Sequence, residues 1–252
     1  MSLNIFEISE AGIRIQNPFS DDKLMLVGEI AHRLGYLRPG ARLLDLACGQ
    51  GEMLSRWAQR YGIAGTGVDL SEAFVAAARD RARQLGVESQ VEFVAADAVQ
   101  FCQSSRAYDI VSCSGASWIG GGTAGAIALM RKALQDEQRG LLLLGELFWN
   151  RKANAEAAEA MGVKPGEVYT LPALYDVFSQ SGVQLLNMVL TDDEGWDRYQ
   201  TYHWTAIHQW AQEHPGDPEA ARLGLEIEDW KRSYFVYRGQ FGWGMFLLKC
   251  AE

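Results

Sequence analysis

Apolar residues fall into two rhythms along this chain. Short solid runs alternate with stretches in which they return every three or four positions. Leu43-Leu44-Asp45-Leu46, Ile63–Leu70, Gln90–Ala95, Tyr108–Ser114 and Leu141–Phe148 are of the first kind and predict buried strands. Between them lie helical patterns at Gly51–Tyr61, Ser71–Leu85 and about Ala124–Leu134. In the first of these Met53, Leu54, Trp57, Ala58 and Tyr61 share a face, and Gly62 ends it.

The flanks follow the same logic. Residues 1–19 are mixed and end in a break at Asn17-Pro18-Phe19. A helix follows, with Ser20 as its cap, Asp21 and Asp22 at its positive end, and Leu24, Val27, Ile30, Ala31 and Leu34 at helical spacing. Gly35 closes it, and Pro39-Gly40 marks a turn. After Phe148 come a polar, alanine-rich stretch, a turn at Pro165-Gly166 and a short helix at Leu171–Ser181. Val183–Leu190 and Gly242–Lys249 are the sixth and seventh predicted strands. Between those two lie about fifty helical, aromatic-rich residues, 192–240, well beyond an ordinary connection. A long insertion there suits a lid or a substrate-binding element.

Strands alternating with helices predict an α/β fold. We expect a doubly wound, mostly parallel seven-stranded sheet with helices on both faces, an N-terminal helix and a helical insertion before the last strand. The whole chain, 1–252, is expected to form one domain. Residues 1–37 would be a cap helix, 38–150 the cofactor-binding core and 192–240 a substrate cap. Ligands of such sheets bind beyond the carboxyl ends of the strands.

Composition narrows the function. A hydrophobic fraction of 48% in 252 residues can fill a sizeable core, and the net charge of −9 argues against a nucleic-acid partner. Arg79, Arg81 and Arg83 are the densest basic group and are expected to form a solvated helix face. Cys48, Cys102, Cys113 and Cys250 form no CxxC pair and no secretory segment precedes them, which predicts a cytoplasmic protein. No apolar run reaches membrane-spanning length, so no membrane partner is expected.

The chemistry gathers at predicted strand ends. Asp45-Leu46-Ala47-Cys48-Gly49-Gln50-Gly51 follows the first strand and opens a helix, where glycines let a ligand approach the backbone. A dinucleotide would need a third small residue where Leu54 stands. Asp69 ends the second strand, where a carboxylate can accept two ribose hydroxyls. The lesser alternative is that it merely caps the helix beginning near Ser71. Asp97 follows the third strand and could cap a short helix running to Cys102. Asp45 sits in an apolar strand, where a lone carboxylate is costly, and is expected to accept loop amides. Asp109 is expected to be structural.

The ordered set resembles the class I S-adenosylmethionine-dependent methyltransferases over about residues 38–150. Ala47 stands where their loop has its first glycine. The resemblance implies S-adenosylmethionine as cofactor, contacted by Asp45, Ala47, Gly49, Gly51, Asp69, Leu70, Asp97, Ala98 and Ser114. It gives Asp69 to the ribose, Asp97 to the adenine amino group and Asp45 to the cofactor's amino group, directly or through water. The segment Ser114–Trp118 would line the methionine end and the acceptor. Asn17-Pro18-Phe19, Glu194–Tyr199 and Phe241–Gly244 are also similar to a bacterial methyltransferase-like group, a similarity that assigns no substrate.

The implied activity is methyl transfer to a small-molecule acceptor by a monomer or homodimer. Trp118, Trp149, Trp196 and Tyr199 are candidate substrate contacts, although core packing explains Trp118 and Trp149 equally well. Glu146 and His203 are candidate bases, and Glu146 could instead be a substrate ligand, a helix cap or a solvated acid. Trp196, Tyr199, His203, Ile207 and Trp210 recur at helical spacing, a stripe more often made by packing. No Cys/His cluster suggests a metal. A cofactor-binding protein without turnover and a dinucleotide-dependent oxidoreductase are the alternative readings.

Overall fold

The structure, a computed structural model, describes residues 3–102, 107–164 and 166–251. Pro165 of the predicted Pro165-Gly166 turn lies outside them. The first predicted helix is α2 (Asp21–Arg33), and Ser20 accepts from the Lys23 amide as its cap. The core then runs β1 (Arg42–Leu46), α3 (Glu52–Tyr61), β2 (Ala64–Asp69), α4 (Glu72–Leu85), β3 (Val91–Ala95), α5 (Ala98–Cys102), β4 (Ile110–Ser114), α6 (Thr123–Ala133) and β5 (Leu141–Trp149). A single 3-10 turn, Ser117–Gly120, links β4 to α6.

Three elements were not expected. The mixed N-terminus holds α1 (Leu3–Glu10), the alanine-rich stretch holds α7 (Ala155–Met161) and β6 (Tyr169–Thr170) is a two-residue strand beside β5. Then come α8 (Leu171–Gln180), β7 (Val183–Leu190), α9 (Asp193–Glu213), α10 (Pro218–Tyr237) and β8 (Phe241–Cys250). The main sheet path is β3-β2-β1-β4-β5-β8-β7. Strands β1 to β5 pair in parallel, and β8 runs antiparallel to both β5 and β7.

The solid apolar runs are explained by burial on two faces. Leu43, Leu141 and Leu143 pack with α2, α3 and α4 on one side. Their neighbours Leu44, Leu142 and Leu144 pack with α6 and α8 on the other. The 192–240 insertion is the α9–α10 pair, which contacts α1 and α7. This cap has its own small apolar cluster of Ile5, Ile207, Leu223 and Ile227. It is tied to the segment before α2, because Thr191 Oγ1 and Arg198 Nη2 both donate to the Pro18 carbonyl.

Candidate active site

The β1–α3 loop is wound unusually tightly. Ala47, Gly49 and Gly51 all have positive φ, at 55°, 53° and 68°. Ala47 is the only non-glycine residue with that geometry among the described residues. An L-residue there costs on the order of 1–2 kcal/mol, so the missing first glycine leaves strain in the loop. At Gly51 a Cβ would run into Phe93 and Ala78, which is the close approach that requires glycine. Leu54 packs over Gly65 of β2, where a Cβ would meet its Cδ1. The strand therefore supplies the small residue and the helix the large one, the reverse of the dinucleotide arrangement.

Asp69 organises this loop. Its Oδ2 accepts the Gly49 amide at 2.8 Å and its Oδ1 accepts the Ser71 amide at 2.9 Å. Ser71, not Asp69, caps α4 by accepting from the Phe74 amide. Each carboxylate oxygen has a further lone pair for a hydroxyl. Asp97 does cap α5, accepting the Gln100 amide at 2.9 Å through Oδ1. Leu70 is 60% exposed at the end of β2, while Ala98 is buried in the first turn of α5.

Asp45 corrects the expectation made for it. It takes no loop amide. The carboxyl is buried, at 3% exposure, and accepts the Ser112 hydroxyl at 2.5 Å. Burial pushes its pKa up to about 7, with the nearby Asp69 charge adding to the rise and the Ser112 bond opposing it. The loop amides go elsewhere, Cys48 to Val68 and Gln50 to Gln16.

Gln16 is the principal surprise. Its Oε1 accepts the Gln50 amide at 3.0 Å, and a Cβ on Gly49 would collide with it. Its Nε2 is buried without a hydrogen-bond partner. Gln50 Nε2 in turn donates to the Glu10 carbonyl at 2.8 Å and the Ala11 carbonyl at 3.1 Å. The segment before α2 is thus laid across the glycine loop. Together they enclose a cavity of about 70 Å³ whose lining includes Gln16, Asn17, Asp45, Ala47, Gly49 and Ser114. Asn17 Nδ2 donates to Ser114 Oγ at 3.4 Å. Asp69, Leu70, Asp97 and Ala98 lie outside this cavity, at the ends of β2 and β3 along the same edge.

The remaining candidates are dispersed. Glu146 on β5 accepts the Thr123 hydroxyl at 2.9 Å and the Leu147 amide at 3.0 Å, holding the start of α6. Burial raises its pKa, and bonds from Ser117 and Thr123 counter that rise. Trp118 is 68% exposed on the 3-10 turn. Trp149 is a core residue, with its ring 4.0 Å from that of Phe241. Trp196, His203 and Ile207 form the buried face of α9. Tyr199 and His203 both hydrogen-bond Glu10 Oε1, at 2.7 and 2.9 Å. Glu146 and His203 are therefore in different parts of the molecule.

The arginines also depart from expectation. Arg81 forms a two-point ion pair with the buried Glu52 at the start of α3, and Arg79 donates to the Phe93 carbonyl. Arg79 is nonetheless exposed, as is Arg83, which pairs with Asp80, so the solvated face fails only at Arg81. Asp109 is structural as expected, accepting the Arg42 amide at 2.8 Å. Among the described residues no three His, Cys, Asp or Glu side chains gather in a way that could hold a metal. No helix among them is long and apolar enough to cross a membrane.

Residues 43–137 match the model of a methyltransferase domain. An S-adenosylmethionine-dependent methyltransferase of Geobacter sulfurreducens, solved with S-adenosyl-L-homocysteine, is 37% identical and superimposes with a TM-score of 0.92, covering 99% of this chain and 98% of that one. This chain belongs to the S-adenosylmethionine-dependent methyltransferases. A similar structure from Thiobacillus denitrificans, also with S-adenosyl-L-homocysteine, is 37% identical with a TM-score of 0.91, covering 99% of each chain. Escherichia coli YjhP is 40% identical over 97% of both chains. The similarity in all three extends through the N-terminal segment and the α9–α10 cap. S-adenosylmethionine is the cofactor of this family.

Gln16, Asn17 and Glu52 were not singled out as site residues in the sequence. Asn17-Pro18 was visible as a break and as part of a segment similar to a methyltransferase-like group, with no role assigned to it. Its adjacency to the loop depends on contacts between residues 34 and 97 positions apart, which local pattern does not encode.

Proposed function

We propose that this chain binds S-adenosylmethionine along the carboxyl ends of β1 to β4 and transfers its methyl group to a small-molecule acceptor held beneath the cap. The observation that carries the reading is the tight loop of Ala47–Gly51, clamped by Asp69 and roofed by Gln16, with the buried Asp45 below it. Gln16, whose buried Nε2 has no partner, and the buried carboxyl of Asp45 line one cavity. They suit the carboxylate and amino group of a bound amino acid.

In this reading Asp45 meets the cofactor's amino group, and Gln16 and Ser114 meet its methionine end. Asp69 receives the ribose hydroxyls through its remaining lone pairs. Asp97, with Leu70 and Ala98 beside it, receives the adenine. Residues 38–150 form the cofactor half, and residues 1–37 and 192–240 form the acceptor cap.

The bound cofactor supplies a methyl carbon already activated by its sulfonium. What remains for the protein is alignment, worth on the order of 7–11 kcal/mol for well-oriented partners. Asp69 and Gln16 fix the loop, and Asn17 and Ser114 border the cavity where the acceptor side begins. Glu146 serves by holding the β4–α6 turn, since its oxygens are already engaged. We assign no general base to the reaction, and none is required for an acceptor that attacks through a neutral lone pair. Four unpaired cysteines suit a reducing cytoplasm. We place the protein there, working as a monomer or homodimer without nucleic acid or membrane.

The test is an acceptor screen that follows S-adenosylhomocysteine release. Product formation with any small molecule, lost in Asp45→Ala, supports the reading. Binding of cofactor with no product across amine, phenol, thiol and carbon acceptors would instead favour a cofactor-binding protein without turnover.

A further inference from the structure

A second cavity lies inside the cap, between α1, α7, α9 and α10. Its volume is about 420 Å³, and its lining includes Glu10, Tyr199, His203, Ile227, Trp230 and Tyr237. That is the size of a typical small-molecule site. It contains none of the residues of the loop cavity.

The polar wall of this cavity is unusual. Glu10 is 1% exposed and His203 is 3% exposed. Glu10 Oε1 accepts the Tyr199 hydroxyl at 2.7 Å and faces His203 Nε2 at 2.9 Å. An ionised carboxylate oxygen can only accept, so in this contact His203 Nε2 is the donor. Both His203 Nδ1 and Glu10 Oε2 are buried with no hydrogen-bond partner. A buried carboxylate with one unpaired oxygen is costly, and that oxygen is relieved by a donor, not by another acceptor. Ser9, Gln200, Glu226 and Ser233 add polar groups to the lining, and the remainder is aromatic and aliphatic. Trp230 stacks on His203 with ring centroids 5.1 Å apart, and Ile5, Ile207 and Leu223 complete the apolar side. An ammonium group beside a carboxylate and aromatic faces is well matched.

We propose that the cap cavity is a binding site for an organic amine with an apolar or aromatic body, held through Glu10. The proposal concerns binding and does not depend on methyl transfer. The site is linked to the glycine loop through Glu10, whose backbone carbonyl takes the Gln50 side chain, and through Tyr199, whose hydroxyl reaches the Gln16 carbonyl at 3.3 Å.

The experiment titrates the full chain calorimetrically with tryptamine, and with tryptophol and indole-3-propionate as neutral and anionic analogues. The amine is expected to bind at least tenfold more tightly than either analogue. In Glu10→Gln that preference disappears. In Ile227→Trp, which fills the cavity without touching the polar pair, all binding weakens at least tenfold. S-adenosylhomocysteine affinity within threefold of wild type shows that each variant is folded, and should Glu10→Gln not fold, Ile227→Trp keeps the test decisive. No amine binding at low millimolar concentration overturns the proposal. So does equal affinity for the analogues, a preference that survives Glu10→Gln, or amine binding unaffected by Ile227→Trp.

Discussion

If Asp45 meets the cofactor's amino group, cofactor affinity must depend on pH in a way set by its burial. The free carboxyl is held near pKa 7, against 3.8 for an ordinary aspartate. The proton is therefore bound in the folded protein and absent from the unfolded chain between those values. Stability of the ligand-free fold is present below about pH 4 and lost as pH rises through about 7, by a total on the order of 4 kcal/mol. Binding runs the other way. A cationic amino group selects the ionised carboxylate, whose fraction rises from about 3% at pH 5.5 to about 76% at pH 7.5. Affinity for S-adenosylhomocysteine should rise about 25-fold over that range, equivalent to about 1.9 kcal/mol. The upper limit avoids deprotonation of the ligand, whose α-amino group has a reference pKa near 8. Calorimetry in buffers of different ionisation enthalpy should detect nearly one proton released per binding event at pH 5.5. Asp45→Asn should bind weakly, with a flat pH profile over the same window. A wild-type affinity that is constant from pH 5.5 to 7.5, without proton release, would refute the reasoning.

The other predictions concern the scaffold of the site. Ala47→Gly should relieve the strain at φ 55° and stabilise the fold by about 0.5–1 kcal/mol, read as a higher thermal midpoint. Gly51→Ala should cost more than 2 kcal/mol, because a Cβ meets Phe93 and Ala78 at a positive φ, and soluble yield and thermal midpoint should both fall. Glu146→Ala should destabilise by about 1–3 kcal/mol by leaving Thr123 and the Leu147 amide without their acceptor, while kcat in the remaining folded protein changes little. Acid should loosen the cap. The bond from Arg238 holds the Asp197 carboxyl below its ordinary range, so its contribution is present above about pH 4 and lost as pH falls further. Limited proteolysis should then cut first between α9 and α10.

The parts of the fold visible in the sequence were those with a local signature. The apolar runs of β1 to β5 announced strands buried on both faces, and Ser20 and Ser71 marked helix starts that the structure places at those caps. Asp69 and Asp97 were placed at strand ends because strand ends are where apolar runs stop. What escaped notice depended on distant contacts. Helix α1 has no sharp amphipathic period, and it is held by Glu10 bonding to residues about 190 positions away, Tyr199 and His203. Arg81 looked solvated because its partner Glu52 belongs to another helix, 29 positions earlier. Asp45 was expected to serve the loop, but the residue beside it on β4, Ser112, reaches its carboxyl first. Leu54 counted against a dinucleotide from spacing alone, and the structure adds the reason in its packing over Gly65.

The most direct measurement of the central claim is a calorimetric titration with S-adenosylhomocysteine of the wild-type chain and of Asp69→Ala. Binding of one equivalent by the wild type, weakened at least a hundredfold in the variant, is the predicted result. The same affinity in both proteins would remove Asp69 from the site, and no binding to the wild type would contradict the account.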